Sequence, residues 1–137
     1  TDVGNLGAAI TAFTGNTNNN GNELPLAPNV TLTVGADYQV TDRFRVGGSI
    51  SYVGEYFSDI TNDPGTKVGN YVLVDVNAAY HLSDTVELYG YVHNIFDSQD
   101  EISLFRVATP VGAPLGPIAF GSVTPPREIG FGLRATF

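Results

Sequence analysis

The residue types that could do chemistry in this sequence fall in a few places. His81, Ser83 and Asp84 bring a base, a nucleophile and an acid into one short stretch. A hydrolytic triad needs such groups to converge from separate parts of a fold, so these three read as turn residues. Asp59, Asn62 and Asp63, in Ser58-Asp59-Ile60-Thr61-Asn62-Asp63-Pro64-Gly65, carry the oxygen ligands that calcium takes. They lack EF-hand spacing, so they read as solvated loop residues and no metal or cofactor is assigned. Asp75 and His93 are suited to an ion pair or hydrogen bond to a separate domain against the face they share, rather than to catalysis, and Arg127, Arg134, Glu87 and Glu128 to cross-strand ion pairing. No set amounts to an active site, and the chain reads as non-enzymatic.

The elements that must position these groups are strands. From Asn29 to Val40 the even positions are Val30, Leu32, Val34, Ala36, Tyr38 and Val40, and every odd position is polar or glycine. That period of two places the apolar set on one strand face. Arg43 to Tyr56 repeats it with Phe44, Val46, Ile50, Tyr52 and Tyr56. Tyr71 to Leu82 does so with Val72, Val74, Val76, Ala78, Tyr80 and Leu82. Val86 to Phe96 carries Val86, Leu88, Val92 and Phe96, and Glu128 to Phe137 carries Ile129, Phe131, Leu133, Ala135 and Phe137. A weaker first strand is expected over Gly4 to Phe13. Thr41-Asp42 and Ser83-Asp84 are tight turns, whereas Thr14 to Pro28, Phe57 to Asn70 and Asp97 to Arg127 are long and rich in Gly, Pro and Asn. A short strand is expected near Ile102 to Val107, with Pro110, Pro114, Pro117, Pro125 and Pro126 keeping the remainder irregular.

Composition narrows the class. Charged residues make up 15% of the chain and the net charge is -8, which excludes the clustered basic surface that nucleic acid needs. Mean hydropathy is +0.03 and no run approaches the ~18 apolar residues of a spanning helix. The absence of cysteine rules out a disulfide scaffold. With no methionine and a start at Thr1, the sequence is read as a piece of something longer.

Alternation serves a lipid-facing barrel and a soluble sandwich alike, and strand length separates them. Sandwich strands run to about 5 or 6 residues and tilted membrane strands to about 9 to 11. The runs here match the longer figure. Short turns at one end and long loops at the other are also how transmembrane barrels are built. With the short turns placed on the periplasmic side, Tyr38, Phe44, Tyr80 and Phe137 form one aromatic girdle on the apolar face, and Tyr52, Tyr56 and Phe96 the other. The expected fold is an all-β antiparallel meander of about six long strands, a segment of a transmembrane β-barrel. The alternatives are a porin or adhesin anchor and a soluble secreted β-rich binding module.

Several stretches resemble the TonB-dependent outer-membrane receptors, from about Glu23 to Phe137. These are Leu24-Pro25-Leu26-Ala27-Pro28-Asn29 opening a strand, Asn70-Tyr71-Val72-Leu73-Val74-Asp75 leading to Tyr80, Asn94-Ile95-Phe96-Asp97, and Pro126-Arg127 before a terminal strand. The resemblance implies that residues 1–137 form the carboxyl-terminal part of a barrel of roughly twenty-two strands. It implies a role in importing a scarce nutrient such as a siderophore, vitamin B12 or an oligosaccharide across the outer membrane of a Gram-negative bacterium. The implied partners are the lipid bilayer, the remaining barrel strands, a plug domain, the TonB complex and the barrel-assembly machinery. That machinery reads a terminal pattern matched by Gly132 and Phe137, although Ala135 stands where a larger apolar residue is usual. Ligand contacts in such receptors come from external loops, which singles out Tyr56, Phe57, Phe105 and Arg106.

Overall fold

The computed structural model describes residues 19–107 and 118–137. The expected strand at Gly4 to Phe13 lies outside the described residues. In chain order the elements are β1 (Thr31–Thr41), β2 (Phe44–Val53), β3 (Tyr56–Phe57), a 3-10 turn at Pro64–Thr66, β4 (Lys67–Val68), β5 (Tyr71–His81), β6 (Val86–His93), β7 (Glu101–Val107), β8 (Ile118–Val123) and β9 (Glu128–Ala135). They divide into two compact units.

The larger unit, Val30–Gly54 with Asn70–Asp100 and Thr124–Phe137, is a five-stranded antiparallel sheet in the order β1-β2-β5-β6-β9. Among the described residues the outer edges of β1 and β9 have no partner strand, so the sheet is not closed into a barrel. Side-chain oxygens shape both tight turns. Thr41 Oγ1 accepts from the amides of Arg43 at 3.3 Å and Phe44 at 3.1 Å. Ser83 Oγ does the same for Thr85 at 3.3 Å and Val86 at 3.1 Å. Short polar residues that satisfy backbone amides locally let the chain reverse without orphaned donors.

Two strands end before their alternation does. β2 stops at Val53, and the Gly54 amide donates to Val30 O at 2.8 Å, closing the ladder with β1. Tyr56 instead pairs with Val68, and Phe57 with Lys67, in the smaller unit. β6 stops at His93 because Asn94 and Asp97 take φ of 48° and 53°, left-handed values that a strand does not accommodate.

The smaller unit contains Glu55–Gly69 and Glu101–Val123, so two of the three long connections hold more structure than the one short strand expected in them. Around Pro64–Thr66 lies the β3–β4 pair, and Glu101–Val107 pairs with Ile118–Val123. The expected short strand near Ile102 to Val107 is β7. Its partner β8 was masked by the proline count, because Pro117, Pro125 and Pro126 flank β8 without interrupting it. Val68, Thr66, Ser58 and Tyr56 are buried here, with the Tyr56 hydroxyl donating to Ile102 O at 2.7 Å and Ser58 Oγ accepting from the Leu104 amide at 2.9 Å.

Candidate functional site

Register carries one chemical division through the whole sheet. Val34 lies opposite Ile50 and Ile50 opposite Val74, while Gly48 pairs with Val76, Val76 with Val92 and Val92 with Ile129. Tyr80 similarly links Phe44 to Leu88, which faces Leu133. The apolar residues of all five strands therefore share one face, and nothing in the described chain covers them: Val34 is 61% exposed, Ile129 69% and Phe131 87%. A continuous apolar surface of strand length marks an interaction with a membrane or a partner. Tyr38, Phe44 and Tyr80 lie at the end of this face carrying the tight turns, with the Phe44 and Tyr80 rings 6.4 Å apart. Tyr52 lies at the opposite end, beside Leu32 and Val72.

The other face is polar and internally paired. Arg134 Nη1 donates to Glu87 Oε1 at 3.0 Å, and His81 Nε2 lies 3.5 Å from the same carboxylate. The Tyr91 hydroxyl donates to Glu128 Oε1 at 3.0 Å, and His93 Nδ1 lies 3.4 Å from Asp75 Oδ1. The Glu87–Arg134 pair is one of the cross-strand contacts read from sequence, whereas Glu128 goes to a tyrosine. Tyr89 and Tyr91 lie opposite Gly132 and Gly130. A Cβ at Gly132 would come 2.6 Å from the Tyr89 hydroxyl, and one at Gly130 would strike the Tyr91 ring. The rings occupy space that those glycines leave open, and the Arg134 guanidinium sits 5.4 Å from the Tyr89 ring centre. The sequence held this signal as alternating Tyr in one strand and alternating Gly in its neighbour.

Where β6 ends, Asn94 is a buried hub. Its Nδ2 donates to Ser98 O at 2.9 Å and Pro125 O at 2.8 Å. Its Oδ1 accepts from the Ser98 amide at 3.1 Å and hydroxyl at 3.2 Å. Asp97 Oδ1 accepts from the Arg127 amide at 2.8 Å. Thr124 Oγ1 donates to Ser98 O at 2.8 Å and accepts from the Asp100 amide at 3.1 Å. The segments 98–100 and 124–127, between which the chain runs out to β7 and β8, are thus tied together through side-chain amide and hydroxyl groups.

The smaller unit holds all four ligand-contact candidates. Tyr56 is buried. Phe57 lies under the Lys67 ammonium, 5.9 Å from its ring centre. Arg106 Nη1 is 3.6 Å from Asp63 Oδ1, so its charge already has a counterion. Phe105 is exposed and lies opposite Phe120, beside the pair Val107 and Ile118. Phe120 and Ile118 lie on β8, a strand that no local sequence pattern predicts.

The residues Asp59, Asn62 and Asp63 form turns. Asp59 Oδ1 accepts from the amide and hydroxyl of Thr61, at 2.8 and 2.5 Å. Burial alone would push this carboxyl up, but hydrogen bonds from Thr61, Thr66 and the Asp63 backbone together hold it below the ordinary carboxylate value. Asn62 Oδ1 accepts from the Glu23 amide at 2.7 Å, and Asp63 Oδ1 from the Gly65 amide at 2.7 Å. Among the described residues no three acidic, histidine or cysteine side chains converge as a metal set. Ser83 serves its turn and His81 faces Glu87, so those two are not brought together.

The sequence pattern of the TonB dependent receptor-like, beta-barrel family matches residues 2–95. The chain belongs to that family. It is similar to the probable TonB-dependent siderophore receptor PiuA of Acinetobacter baumannii, with 31% identity over 81 residues that make up 58% of this chain and 10% of that receptor. Among solved structures it superposes on the closed form of the ferric-catecholate import receptor Fiu of E. coli with a TM-score of 0.65 and 24% identity, covering 84% of this chain and 15% of Fiu. A variant of the ferric enterobactin receptor PfeA of Pseudomonas aeruginosa, in complex with enterobactin, gives a TM-score of 0.59 and 26% identity over 81% of this chain and 17% of PfeA. The chain spans 10% to 17% of the length of these relatives.

As part of a TonB-dependent receptor barrel, the sheet has the two faces such a wall requires, and the open edges of β1 and β9 are where further strands would add. Tyr56, expected in the second girdle, lies in the short β3 strand of the smaller unit, opposite Val68. Phe137 follows β9 as a fully exposed ring, with the Thr136 amide donating to Thr85 O at 2.9 Å just before it.

Proposed function

We propose that residues 1–137 form the carboxyl-terminal wall of a TonB-dependent receptor that imports a ferric siderophore across the outer membrane of a Gram-negative bacterium. The observation that carries this reading is the sheet itself: a strand-long, uncovered apolar face backed by an internally paired polar face, in a chain of the receptor family. The apolar face meets lipid, and the polar face meets the interior of the barrel and its plug. Siderophore is favoured over vitamin B12 or oligosaccharide by what PiuA and PfeA, both more than a quarter identical, are named for. Import would draw on the TonB complex through parts of the receptor outside this chain, and Phe137 with Gly132 would present the terminal signal to the barrel-assembly machinery. Phe105, exposed on β7 opposite Phe120, is the loop residue we assign to ligand contact, with Arg106 on the other face of the same strand.

The test is uptake of radio-iron-labelled ferric enterobactin by iron-starved cells expressing the full-length receptor. Accumulation that stops when the inner membrane is de-energised is the expected result. Uptake that persists without energy would return the protein to the passive porins, and uptake of cobalamin or an oligosaccharide alone would replace the substrate class.

A further inference from the structure

Asp75 stands on the polar face of β5, yet its carboxylate also reaches the hub beyond β6. Oδ1 accepts from the Asn94 amide at 2.9 Å and has His93 Nδ1 at 3.4 Å. Asn94 binds Ser98 and Pro125, and Thr124 then binds Ser98 and Asp100, so one half-buried carboxylate holds the first member of a chain reaching both stems of the 101–123 connection. The Asp75 side chain is 38% accessible. It borders a recess of about 300 Å³ whose walls include Leu73, His93 and Glu128 from the sheet and Asn94, Pro125 and Pro126 from the stems. The recess has two carboxylates and no Lys or Arg, so its field favours a basic group.

We propose that Asp75 is a conformational latch: it couples the polar face of the sheet to the stems of the 101–123 connection, and a basic side chain brought against that face slackens the stems by competing for its carboxylate. A hydrogen bond from an amide to a charged acceptor is worth enough that its loss raises local opening about tenfold or more. The coupling is local because the Asn94 backbone amide has no second acceptor among the described contacts.

The test is hydrogen exchange, followed by mass spectrometry, on the full-length receptor in detergent. Asp75→Ala should speed exchange in 94–100 and 124–127 about tenfold or more, leaving the ladder around Val46–Gly48 and Val76–Ala78 unchanged. Asp75→Asn keeps an acceptor oxygen without the charge and should fall between wild type and alanine. Asp37→Ala removes a carboxylate of the same face that does not touch the hub, and should leave the stems as they are. Ser49→Lys places a basic group directly across from Asp75 in register and should also speed the stems. Stems unmoved in Asp75→Ala, or acceleration spread evenly over the sheet, overturns the latch. Stems unmoved in Ser49→Lys overturns the competition.

Discussion

The assignment of faces can be tested on neighbouring residues with opposite expectations. Val76 lies between Gly48 and Val92 in the middle of the apolar face, and five residues separate it from either end of β5, Tyr71 and His81. At about 3.3 Å per residue, each end is roughly 17 Å away along the strand. An arginine there is too deep for its stem to return the charge fully to water, and the cost at the bilayer midplane is about 2–4 kcal/mol. Since about 1.4 kcal/mol is tenfold, the folded, inserted state should lose about 30- to 700-fold in its equilibrium. Asn77 points the other way. Its amide and the Asp37 carboxylate lean over Gly47 from opposite sides, because a Cβ at Gly47 would meet both. A guanidinium at position 77 would find that carboxylate, so Asn77→Arg should stay within about 0.5 kcal/mol of wild type. The assay is denaturant titration of the full-length receptor refolded into lipid vesicles, with outer-membrane abundance in cells as a second reading. A Val76→Arg protein as stable as wild type, or an Asn77→Arg protein equally damaged, would refute the face assignment.

Asn94→Ala strands the Pro125 carbonyl and the Ser98 donors, while Ser98 O keeps the Thr124 hydroxyl, and should lower the denaturation free energy of the receptor by about 2–4 kcal/mol, read from the midpoint of the same titration. Gly130→Val must displace the Tyr91 ring from β9, and should cost about 1–3 kcal/mol in that assay; the double variant Gly130→Val with Tyr91→Ala should regain part of it. Phe137→Ser should reduce outer-membrane abundance while total synthesis, measured by immunoblot, stays the same. Asp59 titrates below its unfolded value, so its turn contributes stability in full above the ordinary carboxylate pKa and loses it as pH falls through the lower folded value. The protection of the Thr61 amide, its exchange measured against the intrinsic rate at each pH, should fall on acidification through that window, and Asp59→Asn should flatten the response.

The smaller unit shows where local reading runs out. Prolines flanking Ile118–Val123 suggested irregular chain, but a strand is formed by its partner, and β7 supplies one whose register no local pattern encodes. Tyr56 continues the alternation of β2, yet its buried hydroxyl is committed to Ile102, 46 residues away. Asn94-Ile95-Phe96-Asp97 stands out as a motif and Ser98 is a local acceptor for the Asn94 side chain, whereas the second acceptor, Pro125, is 31 residues away and emerges only when the chain has returned.

What the sequence determined by itself was the two-faced character of each long strand and the positions of the two tight turns. Both depend on neighbours: side chains alternate with a period of two, and a Thr or Ser hydroxyl reaches amides two or three residues on. The tertiary structure alone decided which glycine receives which tyrosine, which carboxylate holds Asn94, and that the long connections contribute to a unit of their own. Those contacts join groups such as Tyr91 and Glu128, 37 residues apart. Their geometry follows from register across several strands, and a one-residue slip would move every partner to the opposite face.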